Sequence, residues 1–362
     1  MRTAPGDLAS TVGNASAAYN VLYRTTDSRR EPSWAVTTIF VPVTSKRDCH
    51  QPTWSSLLSY LDPYDVATVD ASPSYSLYSN PLPDIPTALG KGWVVNVPDY
   101  EGPLASFIAG LQAGQATLDS VRATLSLSAT LGLTPKTKNV LWGYSGGGFA
   151  AVWASELQPT YAPELHISGA AIGGMNANAT SSIAAINGGL YSGLIPVGLL
   201  GLTSQFPDVR NVLVSSLKTE GEYNRSRFLA AADMTLQEWV VAYANQDIYR
   251  YFKNGASDVL DGPIRELADR DGTAGHYGVP KIPLFVYQAI QDHVNPAKPV
   301  DALIEKYCSK GADILYQRNS VGGHVEEAAN GAPSAWKWLA SVLSGEPQQK
   351  GCVVQNVTIS VG

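Results

Sequence analysis

A sharp turn built around a serine is the feature of this chain that most limits how it can fold. Residues 139–142 form an apolar, strand-like run, residues 143–147 read Gly-Tyr-Ser-Gly-Gly, and the small residues over 149–154 are typical of a helix. Such a strand-to-helix turn holds Ser145 in a strained conformation with its hydroxyl at the tip, while the glycines let strand and helix approach closely. The placement favours a nucleophile at Ser145 over an ordinary β-α turn.

The composition indicates a large globular protein and argues against a nucleic-acid binder. The chain has 362 residues, of which 44% are hydrophobic, enough for a sizeable core. A usual domain has roughly 100–200 residues, so we expect one large α/β core with an insertion, or two domains. The net charge of −6 and basic clusters hardly larger than Arg29-Arg30 or Lys46-Arg47 are atypical of nucleic-acid binding.

Neither a leader nor a membrane span is evident in the sequence. Residues 1–7 lack the apolar region of a signal peptide. The most apolar stretch, 190–202, is interrupted by glycine and proline and is shorter than the ~20 residues needed to span a bilayer. The three cysteines, Cys49, Cys308 and Cys352, are too few for a disulfide scaffold and lack the spacing of a metal site, although one pair could form.

Strand-like and helix-like segments alternate along much of the chain, which predicts a mostly parallel sheet flanked by helices. Residues 43–88 are rich in Ser, Pro and Tyr and predict a loop with a short helix over 54–61. Apolar spacing predicts a helix over 113–131 that ends at Gly132, and another helix over 300–308. The predicted strands are 36–41, 93–97, 138–142, 166–172, 282–288 and 313–317.

About a hundred residues interrupt this alternation and predict an inserted helical cap. Residues 176–278 contain several helix-like pieces and no convincing strand. The sequence therefore predicts a sheet core formed by 1–175 and 279–362, with 176–278 as the cap. The helix-like pieces cover 212–217, 226–233, 236–242 and 259–269.

An acid and a base for Ser145 occur in the order that this type of turn requires. A serine hydroxyl needs a histidine to take its proton and a carboxylate to hold the imidazole, and here they should follow successive late strands. Asp292 stands directly after the strand over 282–288, and His324 follows the last predicted strand in a glycine-rich loop. We predict Asp292 as the acid and His324 as the base. The alternatives are a turn or N-cap role for Asp292 and a structural role for His324. The other histidines are His50, His166, His276 and His293.

Acyl transfer also needs N–H groups aimed at the developing oxyanion. The residue after the nucleophile, Gly146, supplies one such donor. The second should lie in a loop after an early strand, and residues 97–102 follow the strand over 93–97. The N–H of Asp99 is therefore the second predicted donor. The alternative is that Asp99 and Gly102 merely form a tight turn.

In this order, the segments resemble the fungal secretory lipase family. The resemblance implies an α/β-hydrolase fold with a helical cap and ester hydrolysis without a cofactor or metal. It implies the same triad, Ser145, Asp292 and His324, the same oxyanion donors, Asp99 and Gly146, and a disulfide between Cys308 and Cys352. The matching segments are 97–102, 107–110, 143–147, 161–165, 187–189, 289–292, 308–312 and the loop of His324.

The cap controls which acyl and alcohol groups enter such a site, and it is similar to the family over 187–208 but poorly similar from about 218 to 275. We expect a serine ester hydrolase of lipase type that acts on acylglycerols or other lipophilic esters. The alternative is an esterase, deacetylase or acyltransferase for an acylated fungal secondary metabolite. The stretch 190–202 would line an acyl channel or lid, or form plain cap core. A catalytically dead binding module ranks last, because the triad is intact.

The resemblance also implies secretion and contact with a lipid interface through the cap. We therefore expect a secreted enzyme whose leader has been removed, with an intracellular biosynthetic enzyme as the alternative. Sites for N-glycosylation are compatible with secretion. They are Asn14, Asn178, Asn224 and Asn356.

Overall fold

A single ten-stranded sheet organises the protein. The computed structural model describes residues 1–43 and 53–361. Within these residues the strand order is β1-β2-β3-β5-β4-β6-β7-β8-β9-β10. The strands are β1 (Arg2–Thr3), β2 (Ala15–Thr26), β3 (Pro32–Pro42), β4 (Trp54–Leu61), β5 (Val94–Pro98), β6 (Leu133–Tyr144), β7 (Ile167–Gly173), β8 (Leu284–Ala289), β9 (Ile314–Asn319) and β10 (Cys352–Val357).

The sheet is mostly parallel, which confirms the predicted fold class. Strands β5, β4, β6, β7, β8, β9 and β10 run parallel to one another, whereas β1, β2 and β3 join by antiparallel pairs. Strand β6, which leads into the serine turn, lies between β4 and β7. Because parallel strands end at the same edge, loops after β4, β6, β8 and β9 meet there, where open α/β sheets bind ligands.

Helices cover both faces of the sheet and alternate with its strands. Helices α4, α6 and α14 pack with one core cluster, and α1, α3 and α15 with a second cluster on the other face. Outside the inserted region, the helices are α1 (Leu8–Val12), α2 (Pro73–Ser76), α3 (Asp84–Gly90), α4 (Gly110–Ser126), α5 (Ser128–Leu131), α6 (Gly146–Tyr161), α14 (Ala297–Ser309) and α15 (His324–Ser344). Gly132 ends α5 with a φ of 70°, as predicted for a helix stop.

The predicted helix over 54–61 is wrong, because these residues form β4. Leu57, Leu58 and Leu61 are fully buried, and β4 pairs with β5 on one side and β6 on the other. A central parallel strand is covered on both faces, so its sequence lacks the alternation of a half-exposed strand. The serines of this segment further weaken the strand pattern. The sequence patterns also do not predict β2 and β10.

Residues 176–278 are helical, as the sequence predicts. The described backbone in this region contains two isolated bridges, Asn178 with Thr273 and Leu217 with Phe252, but no strand of the main sheet. Its helices are α7 (Ala179–Ile186), α8 (Leu194–Thr203), α9 (Pro207–Ser216), α10 (Arg225–Leu229), α11 (Leu236–Tyr243), α12 (Ser257–Leu260) and α13 (Gly262–Asp271).

A disulfide joins Cys308 at the end of α14 to Cys352 at the start of β10, and their Cα atoms are 5.7 Å apart. It ties the last strand, β10, to α14, the helix that precedes β9. Cys49, His50 and the pair Lys46-Arg47 lie outside the described residues. No helix among the described residues combines the length and the apolar character needed to cross a bilayer.

Candidate active site

Ser145 sits on the strained turn that the sequence predicts. It lies between β6 and α6 with φ 54° and ψ −118°, and its N–H donates to the Gly173 carbonyl at 2.9 Å. A Cβ atom at Gly143 would overlap the Gly147 carbonyl, and one at Gly147 would overlap the Leu61 carbonyl. The glycines therefore allow the turn to pack against itself and against the end of β4, which leaves the serine hydroxyl at the tip.

His324 and Asp292 form a chain of hydrogen-bonding contacts that starts at this hydroxyl. His324 Nε2 lies 2.8 Å from Ser145 Oγ, and His324 Nδ1 lies 2.7 Å from Asp292 Oδ2. The Asp292 side chain is fully buried and that of His324 is 10% exposed. Charge-assisted bonds of this kind gain strength when water is excluded. The structure brings together the three residues that the sequence selects, at hydrogen-bonding distance and in the required order.

Three further backbone and side-chain donors hold the Asp292 carboxylate. Oδ2 also accepts from Gln288 Nε2 at 2.8 Å, and Oδ1 accepts from the N–H groups of Val294 at 2.9 Å and Asn295 at 2.7 Å. Gln288 belongs to β8 and is buried. The carboxylate is therefore fixed in both position and orientation, which in turn fixes the imidazole of His324.

The remaining described histidines do not take part in this arrangement. His166 and His276 are exposed. His293 is also exposed, and its ring packs against Tyr191 with the centroids 5.8 Å apart. None of the three hydrogen-bonds Ser145, in keeping with the choice of His324.

The structure contradicts the prediction that the Asp99 N–H is a free oxyanion donor. This N–H donates to the Val36 carbonyl at 2.8 Å, extending the pairing of β3 with β5. The Asp99 carboxylate accepts hydrogen bonds from the backbone N–H and the hydroxyl of Ser74. Strand β5 is separated from β6 by β4, so the loop after β5 is one strand too far from Ser145.

The loop after β4 brings Asp65 to the place expected for the second donor. Asp65 has a φ of 47°, and its carboxylate lies against Gly146, where an added Cβ would overlap Oδ1. Its carbonyl accepts from the indole N–H of Trp239 in α11 at 3.2 Å. Among the described residues, the N–H groups of Asp65 and Gly146 donate to no acceptor. Sequence reasoning missed Asp65 because residues 54–61, which form the strand before this loop, were predicted as a helix.

A buried group of carboxyl side chains lies behind the turn. Burial raises the pKa of Asp65 to about 6, and the nearby His324 opposes this effect. Burial, with neighbouring carboxylates adding to it, raises the pKa of Asp62 to about 7 and that of Glu101 well above its usual range. Burial likewise raises the pKa of Asp99 to about 7, against the hydrogen bonds from Ser74. These groups hold protons into a pH range where exposed carboxyls are ionised.

A small apolar cavity opens beside Ser145. Its volume is about 40 Å³, and Asp65, Ser145 and Gly146 line it together with side chains such as Ile183 and Leu194. Within 190–202, Leu194 lines the cavity while residues such as Val197 are buried in the surrounding core. Most of this stretch is buried core, and an acyl channel or lid stays a prediction. The described residues contain no cluster of His, Cys, Asp and Glu that could hold a metal ion.

In sequence and fold, this chain is similar to lipases and esterases. A sequence profile for the family described as "Secretory lipase" matches residues 82–351. Trichothecene C-3 esterase of Fusarium sporotrichioides is 52% identical over 369 residues, which cover 99% of this chain and 83% of the relative. Lipase A of Arthroderma benhamiae is 37% identical over 374 residues, covering 99% and 76%. The closed-state structure of Candida antarctica lipase A has a TM-score of 0.83 at 28% identity and covers 97% of this chain and 83% of that one.

Proposed function

Since this chain belongs to the secretory lipase family, we propose that Ser145, His324 and Asp292 carry out its ester hydrolysis. The chain is a carboxylic-ester hydrolase with an α/β-hydrolase fold, as its relatives and its likeness to a lipase structure establish. The contact of 2.8 Å between His324 Nε2 and Ser145 Oγ is the observation that carries the proposal. The histidine can take the hydroxyl proton directly at this distance.

The proposed reaction has two halves that share one set of residues. Ser145 Oγ attacks the ester carbonyl carbon while its proton passes to His324 Nε2, and the Asp292 carboxylate stabilises the resulting imidazolium. The tetrahedral intermediate then collapses, and His324 returns the proton to the departing alcohol. In the second half, water attacks the acyl carbonyl carbon while its proton passes to His324 Nε2. The second tetrahedral intermediate collapses with loss of Ser145 Oγ, which takes that proton back, and the carboxylic acid is released.

For the oxyanion, we propose the N–H groups of Gly146 and Asp65 as donors. Gly146 follows the nucleophile at the start of α6, where backbone N–H groups have no partner within the helix. Asp65 follows β4, the strand that pairs directly with β6. Removing one such donor typically costs about 10²–10³ in rate, so both positions matter to the mechanism.

Labelling with a fluorophosphonate tests the nucleophile. Ser145→Ala should abolish both labelling and hydrolysis of p-nitrophenyl acetate, while its thermal unfolding stays close to that of the wild type. Ser309→Ala, an exposed serine near the end of α14, is the matched control and should label like the wild type. Labelling of Ser145→Ala at the wild-type rate would rule out this nucleophile.

The proposed substrates are acylglycerols or other lipophilic esters, because the cavity at Ser145 is lined mainly by apolar side chains. A second candidate substrate is an acylated fungal secondary metabolite, in which case the enzyme would be an esterase, deacetylase or acyltransferase. The similarity to Trichothecene C-3 esterase, 52% identity over 99% of the chain, favours this candidate. Rates on triacetin and on a panel of acetylated trichothecenes, which carry the same acyl group, separate the two, since a lipase prefers the glyceride.

We further propose 176–278 as a cap over a core of 1–175 and 279–362, with contact to lipid through apolar side chains on the cap. Val241 is 82% exposed and Leu190 is 50% exposed, which supports such a surface. Secretion is proposed from the family and from the disulfide between Cys308 and Cys352. Flotation with phosphatidylcholine vesicles tests the contact, and Val241→Asp should weaken it.

A further inference from the structure

We propose that the cavity beside Ser145 is the acyl subsite and that it admits only short acyl groups, of about two to three carbon atoms. The inference rests on the proposed mechanism and adds the acyl part of the substrate to it. Three features of the cavity support this assignment: the side of the nucleophile that it occupies, its volume, and the packing of the isoleucines in its wall.

The position of the cavity identifies its occupant. Ser145, Gly146 and Asp65 bound it, so it lies on the side of the nucleophile and the oxyanion donors. His324 is not among its described lining residues. The departing alcohol must receive a proton from His324 and therefore lies on the histidine side. The acyl group points the other way, into the cavity.

The size of the cavity limits the acyl chain. Its volume is about 40 Å³. An apolar cavity of about 150 Å³ binds benzene, which has six carbon atoms. The space beside Ser145 is about a quarter of that and accommodates one or two carbon atoms beyond the carbonyl. Acetyl and propionyl groups fit, whereas each further methylene has to displace protein atoms.

Packed, branched side chains form part of the cavity wall. Ile183 and Ile186 from α7 and Ile108 from the loop before α4 are 5–7% exposed, and all three line the cavity. Ile108 has a φ of 57°, which is rare for a β-branched residue and persists only where the surroundings hold it. A Cβ atom added at Gly198 of α8 would lie 3.2 Å from its Cδ1. The wall is thus part of the packed interior, and widening it requires repacking.

Chain-length profiles test the inference, with p-nitrophenol as a constant leaving group. The substrates are p-nitrophenyl acetate, propionate, butyrate and octanoate below their micellar concentrations. For the wild type we expect kcat/KM on octanoate to be at least about tenfold below that on acetate. An open acyl channel would instead gain roughly fourfold for each methylene buried.

Leu194→Ala and Ile183→Ala each remove cavity-lining groups and should raise the octanoate-to-acetate ratio by at least about tenfold. Leu213→Ala is the matched control, because Leu213 is fully buried in α9 and does not line the cavity. It should leave the ratio unchanged even if it lowers stability. Titration of active sites with a fluorophosphonate corrects each rate for the folded fraction.

A wild-type profile that rises with chain length would overturn the inference, as would an equal change of ratio in Leu213→Ala. The inference would also be overturned if emulsified substrate raised the rate on octanoate but not the rate on acetate, because the cavity wall would then be a mobile lid. These outcomes leave ester hydrolysis intact. Failure of the proposed mechanism looks different: labelling of the enzyme would survive Ser145→Ala, whatever the chain-length profile.

Discussion

Replacing Asp292 by asparagine removes one acceptor atom from a carboxylate whose two oxygens are both fully used. Oδ2 accepts from His324 Nδ1 and Gln288 Nε2, and Oδ1 accepts from the N–H groups of Val294 and Asn295. An amide has one oxygen and one NH₂ group. In either orientation of the Asp292→Asn side chain, the NH₂ group therefore faces groups that donate hydrogen bonds to the wild-type carboxylate. The four contacts decide which orientation is preferred and hence what the histidine does.

With NH₂ directed at Val294 and Asn295, two buried backbone N–H groups lose their acceptor. With NH₂ directed at Gln288 and His324, only the Gln288 bond is lost, provided that His324 Nδ1 becomes an acceptor. Each buried unpaired group costs about 1–3 kcal/mol, so the second orientation is preferred. The proton then resides on His324 Nε2 and faces Ser145, and the histidine can no longer act as a base. Trapping this tautomer lowers kcat by about 10⁴-fold, or ~5.5 kcal/mol.

Steady-state kinetics on p-nitrophenyl acetate should show this loss in kcat with little change in KM, and the rate of fluorophosphonate labelling should fall in parallel. Thermal unfolding should show a smaller loss of ~1–3 kcal/mol. Asp301→Asn is the control. Asp301 lies in α14, and its carboxylate pairs with Arg318 at a distance of 3.0 Å and makes no contact with the triad. A variant at 292 that keeps more than about a tenth of the wild-type kcat would refute the tautomer argument.

Three other changes are predicted from the same structure. The pKa of Asp65 is raised to about 6, so its carboxyl is neutral below that pH and is an anion beside the developing oxyanion above it. Because Asp65→Asn removes this negative charge at high pH, the ratio of kcat/KM at about pH 8 to kcat/KM at about pH 5 should rise severalfold over that of the wild type. An unchanged ratio would contradict this. Gly147→Ala places a Cβ against the Leu61 carbonyl and should cost ~1–3 kcal/mol of stability or more in thermal unfolding, unlike Gly90→Ala, whose nearest neighbour is the Asn14 side-chain amide at 3.3 Å, which can shift. Asn356 is exposed on the edge strand β10, so protein secreted from a yeast host should lose mass on deglycosylation, and Asn356→Gln should lose less.

The candidate triad could be chosen from the sequence because the choice needs only the position of each residue after a strand, its order along the chain, and the rule that parallel strands end at one edge of the sheet. Asp292 and His324 each follow a strand-like run, and Ser145 follows another. Parallel strands end at a common edge, so residues at these positions converge even though 147 residues separate Ser145 from Asp292. Chain order then selects one histidine from the later part of the chain. No knowledge of side-chain packing is needed for that choice.

The acyl cavity could not be predicted in the same way. Its walls come from the loop of Ile108, from α7 and α8 of the inserted region, and from α6. The sequence pattern of apolar residues is the same whether they fill the core or line a cavity. In α8, Val197 is buried in the core and Leu194 lines the cavity. A volume of a few tens of Å³ depends on how closely helices pack, which hydrophobic pattern alone does not encode.

The misplaced oxyanion donor follows from a single error in secondary structure. Once residues 54–61 are taken as a helix, the nearest early strand is the one at 93–97, and the donor moves to Asp99. The glycines of the turn carry the correcting information. Gly147 must be a glycine because a backbone carbonyl lies against it, and that carbonyl belongs to Leu61, the last residue of β4. A glycine at this position thus indicates a strand paired directly with β6, and the loop after that strand, with Asp65, is where the second donor must be sought.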